Sequence, residues 1–172
     1  MGYAVLHIDK ARSNDSGNTA HIARAYTPSN VDPSRTHLNR ELVQFPANVT
    51  NRSEAIEHRI ATAGIYRKVA KNQVKALRFI LSSSPEDMAR IEQEGRLYEW
   101  CDESMDWLRS TFGADNVVAA TLHADEETPH IHATVVPIVT GERRKAKEEA
   151  ENGKRKYKTK KNKVRLCADD VL

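Results

Sequence analysis

Two histidines separated by one residue, His130 and His132, begin a run that alternates like a β-strand. Successive strand side chains point to opposite faces, so both imidazoles are expected to project from the same face. A third histidine, His123, ends the preceding strand-like run, which starts at Asn116. Three neutral imidazoles with an open coordination position are what a catalytic divalent metal needs. The spacing therefore predicts a metal site shared by two neighbouring strands.

The segment between these runs carries two carboxylates that bear on such a site, Asp125 and Glu126. A carboxylate can accept the second ring N–H of a ligand histidine and so fix its tautomer. A solvated hairpin turn explains Asp125 about equally well. Ligation by histidine alone suits borderline divalent ions such as Mn, Co, Ni or Zn, with Mg as the labile alternative in the cell.

A metal that polarises a phosphodiester still needs an attacking group. A short helix predicted from Thr19 to Tyr26 places Arg24 on the same face as His21, where it can hold a phosphate. The plainer interpretation is a surface histidine beside a surface arginine. Spacing does not choose between His21 and Tyr26 as nucleophile. The polar region 12–51 also offers these hydroxyls: Ser13, Ser16 and Thr19.

The elements that must position these groups alternate between strand and helix. Periodicity predicts a strand from Tyr3 to Lys10, and the polar region 12–51 follows without a periodic pattern. Next come a helix opened by Asn51–Glu54 and a strand from Val74 to Leu81. One helix from Ser84 to Gly113, which Gly95 can kink, precedes two strands joined by Ala124–Thr128. This order predicts an α+β fold. A mainly antiparallel sheet carries helices on one face and the metal site on the other.

Basic residues are concentrated late in the chain. From Gly141 to Arg165 there are twelve Lys and Arg against four Glu, a net charge of +8, whereas the remainder carries −5. A basic arm of this kind predicts a polyanionic partner, with a solvated linker as the alternative. Its first candidate DNA contacts are Arg143, Arg144 and Lys145.

The charge pattern also divides the chain. We expect residues 1–140 to form the catalytic domain. Residues 141–172 are expected to be a basic arm and the start of a further C-terminal region, either in the same domain or as a linker. The two cysteines form no CxxC pair, which favours the reducing cytoplasm, and no apolar run approaches the roughly 18 residues of a membrane span.

Two longer motifs make the chain resemble the MobV (Mob/Pre, plasmid recombination) relaxases, a family of HUH endonucleases. His123 to His132 reads H-A-D-E-E-T-P-H-I-H, similar to the family's H-x-D-E-x-T-P-H-x-H. Asp32 to Leu42 reads D-P-S-R-T-H-L-N-R-E-L, similar to N-P-S-R-[ST]-H-L-N-x-E-L. The resemblance extends over essentially the whole chain and identifies it with the N-terminal relaxase domain of proteins that continue beyond it.

The resemblance implies an activity. A relaxase of this family nicks one DNA strand at a plasmid transfer origin, remains attached to the 5′ phosphate, and later religates the ends to complete conjugative mobilisation. The expected cofactor is Mn or Mg. The expected partners are single-stranded origin DNA with its adjacent hairpin and the coupling protein of a type IV secretion system, without membrane insertion.

The resemblance also implies roles for residues. His123, His130 and His132 hold the metal, and Glu126 orients or assists them. His21 is the nucleophile in place of the tyrosine of most HUH enzymes. Family members often carry tyrosine where this chain has Arg40, so a tyrosine there is not essential. Further plausible phosphate contacts are Arg24, Arg35 and His37, although the last two can equally brace the loop.

Two other functions fit the same residues. An HUH replication initiator or single-strand transposase would use the same chemistry at another kind of origin. A non-enzymatic DNA-binding domain would use the three histidines for a structural metal, although such zinc sites are usually four-coordinate and rich in cysteine.

Overall fold

The computed structural model describes residues 4–12, 16–141, 144–153 and 163–172. Its strands and helices, in chain order, are β1 (Ala4–Ala11), α1 (Ser16–Ile22), β2 (Arg40–Glu41), α2 (Arg52–Thr62), β3 (Ala76–Ser83), α3 (Pro85–Gln93), α4 (Leu97–Phe112), β4 (Val117–His123), β5 (His130–Val135), β6 (Ile138–Val139), α5 (Arg144–Glu151) and β7 (Arg165–Leu166). In the described part of the chain, no helix combines the length and apolar character needed to cross a bilayer.

Five strands form an antiparallel sheet in the order β1-β3-β5-β4-β2. The central strand β5 pairs with β4 through a hairpin, which brings His123 opposite His130 and Thr121 opposite His132. The α+β class and the antiparallel sheet predicted from the sequence are therefore confirmed. The histidines lie at the hairpin end of the two strands.

One face of the sheet is covered by α4. Apolar side chains of β3 and β5, including Phe79 and Ile131, pack against Met105 and Leu108 of that helix, and all four are at most 2% exposed. The helix turns these residues inward because they repeat at intervals of three and four. This packing fixes the sheet that supports the histidines from behind.

The histidine face also carries a helix, which the sequence prediction did not include. Ala55 and Ile56 of α2 pack with Ala76, Val118 and Val136, at the end of the sheet away from the histidines. Asn51 caps α2 by accepting a hydrogen bond from the Glu54 amide. The helices are thus placed on both faces.

The predicted long helix is interrupted. Gly95 has φ +70°, a conformation that glycine adopts without steric cost, and it separates α3 from α4. Ser84 caps α3 as expected, by accepting from the Asp87 amide, and α4 ends at Gly113. The interruption lets α3 and α4 lie against each other as separate helices.

The polar region 12–51 is largely ordered by short elements. It contains α1, a 3-10 helix from Pro33 to Leu38, and the two-residue edge strand β2. Asp32 caps the 3-10 helix by accepting hydrogen bonds from the Ser34 amide and hydroxyl. Neither the 3-10 helix nor β2 has a periodic signal in the sequence.

The basic stretch lies between two strands that pair with each other. Ile138 of β6 lies opposite Leu166 of β7, and Val139 lies opposite Arg165. Leu166 and Ala168 are buried, one in each apolar cluster. The residues after the basic stretch therefore pack onto the same body as the strands before it.

Candidate metal and nucleophile site

The three predicted ligand histidines lie together. Their ligand nitrogens fall within 4.8 Å of one another, and His130 Nε2 is 3.1 Å from His132 Nε2. His123 is fully buried, while the other two are partly exposed. The period of two along β5 and the hairpin register produce this arrangement. The partial exposure of His130 and His132 leaves the cluster accessible from solvent.

The hydrogen bonds of the rings fit a metal at the centre of the cluster. His123 Nε2 lies 2.9 Å from the Ile22 carbonyl, and His130 Nδ1 lies 2.9 Å from the Thr128 carbonyl. Because a carbonyl can only accept, both of these nitrogens carry the proton, and the opposite nitrogens keep a free lone pair. His123 Nδ1 is buried with no hydrogen-bond partner within the described residues. A cation would satisfy that atom.

The cluster also favours neutral rings. Burial lowers the pKa of His123 to about 4, assisted by the charges of Arg24 and His130. Burial, together with the neighbouring histidines, lowers the pKa of His132 to about 2. Neutral imidazole is the form that donates a lone pair to a metal. The protein therefore prepares these two rings for ligation at ordinary pH.

His21 lies beside the cluster. Its ring centroid is 6.1 Å from that of His132 and 6.4 Å from that of His123. The next residue, Ile22, supplies the carbonyl bonded to His123, so α1 is fastened directly to the cluster. Tyr26 lies 6.2 Å from His21, between ring centroids, and is 55% exposed. The structure thus places both candidate nucleophiles at one site, with His21 against the histidine rings.

Glu126 faces two of the histidines. Its Oε1 is 3.8 Å from His123 Nδ1 and 3.9 Å from His130 Nε2. These separations are longer than hydrogen bonds, and the carboxylate instead accepts from Arg24 at 2.7 Å and from Asn30 at 2.8 Å. Glu126 therefore lies at the side of the cluster, held by Arg24 and Asn30.

Arg24 differs from the prediction. Helix α1 ends at Ile22, and Arg24 has φ +53°. Arg24 therefore does not share a helical face with His21, contrary to the expectation. Its guanidinium donates to Asp125 at 2.6 and 3.0 Å as well as to Glu126, and its side chain is only 10% exposed. Two carboxylates occupy Nε and Nη2 of this guanidinium, whereas Nη1 is buried without a hydrogen-bond partner among the described residues.

Asp125 is neither a histidine partner nor a solvated turn. It is fully buried and accepts hydrogen bonds from Arg24, from Asn39 at 2.7 Å and from Thr36 at 3.2 Å. Although burial opposes ionisation, these hydrogen bonds, that from Arg24 first, hold the pKa of Asp125 at about 2. Asn39 Oδ1 also accepts from the Ala124 amide. Asp125 thus ties the 3-10 helix region to the histidine hairpin.

The remaining predicted DNA contacts are placed in different ways. Arg35 donates to Glu92 of α3 at 2.9 Å, which braces the 3-10 helix, and His37 is exposed. Arg143 lies outside the described residues. Arg144 and Lys145 begin α5, but their side chains lie outside what the structure describes.

Arg52 is a residue that the sequence analysis missed. It lies in the first turn of α2, is 5% exposed, and its Nε donates to the Thr134 hydroxyl of β5. Its Nη1 lies 3.5 Å from the Thr19 hydroxyl of α1. An arginine that directly follows an N-cap residue is usually solvent-exposed, so no local sequence signal indicates that Arg52 is buried.

Position 40 lies away from the site. Arg40 pairs with Leu122, whose side chain belongs to the apolar face, and its guanidinium stacks 3.9 Å above the Tyr98 ring of α4. A tyrosine at this position would sit on the face opposite the histidines. This agrees with the expectation that such a tyrosine is not essential.

Comparisons with known proteins give consistent matches. The family model described as "Plasmid recombination enzyme" (Mob_Pre) matches residues 1–167. Plasmid recombination enzyme type 3 of Staphylococcus aureus is 32% identical over 162 residues, which is 90% of this chain and 38% of that protein. The 65 kDa protein of Zymomonas mobilis is 30% identical over 78% of this chain and 23% of its own length. The chain therefore spans well under half of these relatives.

Solved structures give a similar match. The Mn-bound MobM relaxase domain (MOBV; Mob_Pre), in complex with plasmid pMV158 oriT DNA of 22 nucleotides, superposes with a TM-score of 0.69 at 26% identity. The match covers 78% of this chain and 70% of that domain. A second complex of the same domain with 23 nucleotides of oriT DNA gives a TM-score of 0.66.

Proposed function

Since this chain belongs to the plasmid recombination enzyme (Mob_Pre) family, as the motifs predicted, we propose that it is a DNA relaxase that nicks one strand at a plasmid transfer origin and later religates it. The observation that carries the proposal is the position of His21, 6.1 Å between ring centroids from a histidine of a divalent-metal cluster. Similar relaxase domains bind Mn and oriT DNA.

His123, His130 and His132 would hold the divalent metal, with Mn or Mg preferred and Zn, Co or Ni as alternatives. When bound, the metal would supply positive charge to the non-bridging oxygens of the scissile phosphate. The unprotonated nitrogens His123 Nδ1 and His130 Nε2, the latter 3.1 Å from His132 Nε2, support this assignment. Arg24 and Asn30 keep Glu126 beside the rings, where its negative charge would favour a bound cation.

His21 acts as the nucleophile. A neutral ring nitrogen attacks phosphorus, the bond from phosphorus to the 3′ oxygen breaks, and the ring loses its remaining N–H proton to solvent. The 3′ oxygen leaves as a hydroxyl after taking up a proton. The product is a phosphoramidate that joins the 5′ end of the cut strand to His21, and attack by a 3′ hydroxyl reverses the reaction.

DNA contacts outside the reacting phosphate come from basic groups. The exposed His37, Arg35 and the basic stretch, starting with Arg143, Arg144 and Lys145, contact the DNA backbone near the origin hairpin. Since backbone contacts release counterions, they make affinity salt-dependent without adding sequence specificity. Burial of Leu166 and Ala168 supports one catalytic body that includes residues on both sides of the basic stretch. The enzyme acts in the cytoplasm and delivers the attached strand to a type IV coupling protein.

The test is a covalent adduct. The protein is incubated with Mn or Mg and a labelled single strand that carries its element's transfer origin, and the products are separated under denaturing conditions. An adduct formed by the wild type and by Tyr26→Phe, lost in His21→Ala and cleaved by acid, supports the proposal. Loss only in Tyr26→Phe moves the nucleophile to Tyr26. DNA binding without an adduct in any metal favours a structural metal site instead.

A further inference from the structure

The helix that carries His21 needs support from the rest of the protein. α1 is seven residues long, too short to be stable alone in water. His21 lies in its last turn, where fraying would displace the imidazole. The carbonyl of Ile22, bonded to His123, fixes the C-terminal end of α1. A second contact is needed to fix the rotation of α1 about that point.

Thr19 supplies this second contact from the middle of the helix. Its hydroxyl lies 3.0 Å from the Ser53 hydroxyl and 3.5 Å from Arg52 Nη1, both in the first turn of α2. Thr19 is two residues before His21. Because both residues belong to the same seven-residue helix, a displacement of α1 at Thr19 also displaces the imidazole.

Arg52 connects this contact to the histidine strand. Its Nε donates to the hydroxyl of Thr134, which is 1% exposed and lies two residues after His132 on the same face of β5. The links run from Thr134 through Arg52 to Thr19. They join the strand of one cluster histidine to the helix of the proposed nucleophile.

An arginine suits this connection for a geometric reason. The planar guanidinium presents several N–H groups in fixed directions, so one side chain can hold two hydroxyls at a set separation, whereas a lysine ammonium is a single rotating donor. A buried cation is also costlier than an apolar side chain of similar size. Arg52 is 5% exposed, so its guanidinium is held among the groups that surround it.

We propose that Arg52, acting through the hydroxyls of Thr134 and Thr19, is a positioning residue that sets the distance and angle between His21 and the metal cluster. The inference rests on the proposed relaxase function and extends it to a residue outside the reacting groups. Misplacement of a reactive group by about 1 Å can slow a reaction on the order of 100-fold without changing substrate binding.

The experiment compares Arg52→Lys, Thr19→Val and the double variant with the wild type. The rate of adduct formation is measured in a single turnover, at saturating origin strand and Mn, together with the affinity for that strand and the melting temperature. Arg59→Lys is the matched control, because Arg59 lies on the same helix and donates to Asn116, away from His21.

We expect Arg52→Lys and Thr19→Val each to slow adduct formation about 10- to 100-fold, with DNA affinity within about twofold of wild type. The effects of the two changes should not add in the double variant, because Thr19→Val already removes the hydroxyl through which Arg52 reaches α1. Arg59→Lys should react at the wild-type rate.

Other results would contradict either the positioning role of Arg52 or the proposed function. If the wild type forms the adduct and both single variants are equally fast, Arg52 has no positioning role. The same holds if their losses simply add in the double variant, or if Arg59→Lys is slowed as much. If the wild type forms no adduct, the proposed function fails and this inference fails with it. Thr19→Val keeps the test valid should Arg52→Lys not fold.

Discussion

The two faces of the central sheet are stabilised in different ways. Behind the sheet, β3, β5 and α4 meet through closely packed apolar side chains such as Phe79 and Leu108. In front, at the hairpin end, the segments meet through hydrogen bonds of buried polar groups, with Asp125 and Arg52 at the two junctions. Apolar contact is non-directional, whereas hydrogen bonds require defined distances and angles.

This difference separates stability from geometry. A cavity behind the sheet lowers the free energy of unfolding but leaves the front groups in register as long as the protein stays folded. A lost hydrogen bond in front costs less stability, yet it releases a segment that bears a proposed reacting group. Variants on the two faces are therefore expected to change different measurements.

Leu108→Ala should give the largest loss of stability. Leu108 is fully buried in α4, and removing its side chain should lower the free energy of unfolding by about 2–5 kcal/mol, measured by urea denaturation. The adduct rate per folded molecule should not change. A slower rate in fully folded Leu108→Ala protein would show that the two faces are not independent.

Acid should destabilise the metal-free protein through the buried histidines of the front face. The pKa values of His123 and His132, about 4 and 2, lie below that of an unfolded histidine near 6.5, so the unfolded chain takes up protons first as pH falls. Stability is full above pH 6.5 and should fall by roughly 3 kcal/mol for His123 alone as pH approaches 4.

Urea denaturation at a series of pH values measures this loss. His7→Gln is the control, because the His7 side chain is 62% exposed. Leu108→Ala should lower the whole curve and keep its slope. Constant stability from pH 7 to 4.5 would contradict the prediction.

Asp125→Asn should separate geometry from stability most clearly. The amide has lost the charge that pairs with Arg24, so we expect a loss of about 1–3 kcal/mol in unfolding free energy. Adduct formation should slow about 10- to 100-fold, because Glu126 and the 3-10 helix region lose a shared anchor. Asp32→Asn is the control, since its exposed carboxylate only caps the 3-10 helix. Equal effects of the two variants would refute the special role of Asp125.

Tyr98→Ala should have the smallest effect. Its contact with Arg40 is partly exposed, and such a cation–π pair contributes at most about 1 kcal/mol. The adduct rate should equal that of wild type.

Arg40→Tyr, which introduces the residue common in the family, should not restore an adduct to His21→Ala. Such a restored adduct would mean that position 40 reaches the site.

The sequence predicted the elements whose signals are local. The alternation of β5 and the short hairpin were sufficient to bring His123, His130 and His132 together, because the strand period and the hairpin register determine the faces. The order of the elements predicted the class of fold, and the resemblance to the family pointed to His21. The roles of these residues stay predictions until the adduct is measured.

Contacts distant in sequence could not be predicted in the same way. Arg24 was assigned to a helix face, but it lies after the end of the helix in a left-handed conformation and pairs with a carboxylate 101 residues away. The contacts of Asp125 and Arg52 leave no periodic signal in the sequence. Asp125 bonds to the irregular region at Thr36 and Asn39, and Arg52 of α2 bonds to Thr134 of β5. Two-residue strands such as β2 are too short to show alternation.

The pairing of β6 with β7 makes the residues between Val139 and Arg165 an insertion with adjacent, anchored ends. The entropy of closing such a loop rises only slowly with its length, by about 0.6 kcal/mol for each doubling. Lineages can therefore lengthen, shorten or recharge this segment at little cost to the catalytic body. It is equally a position where a reporter or a second DNA-binding module can be inserted while the histidine site stays unchanged.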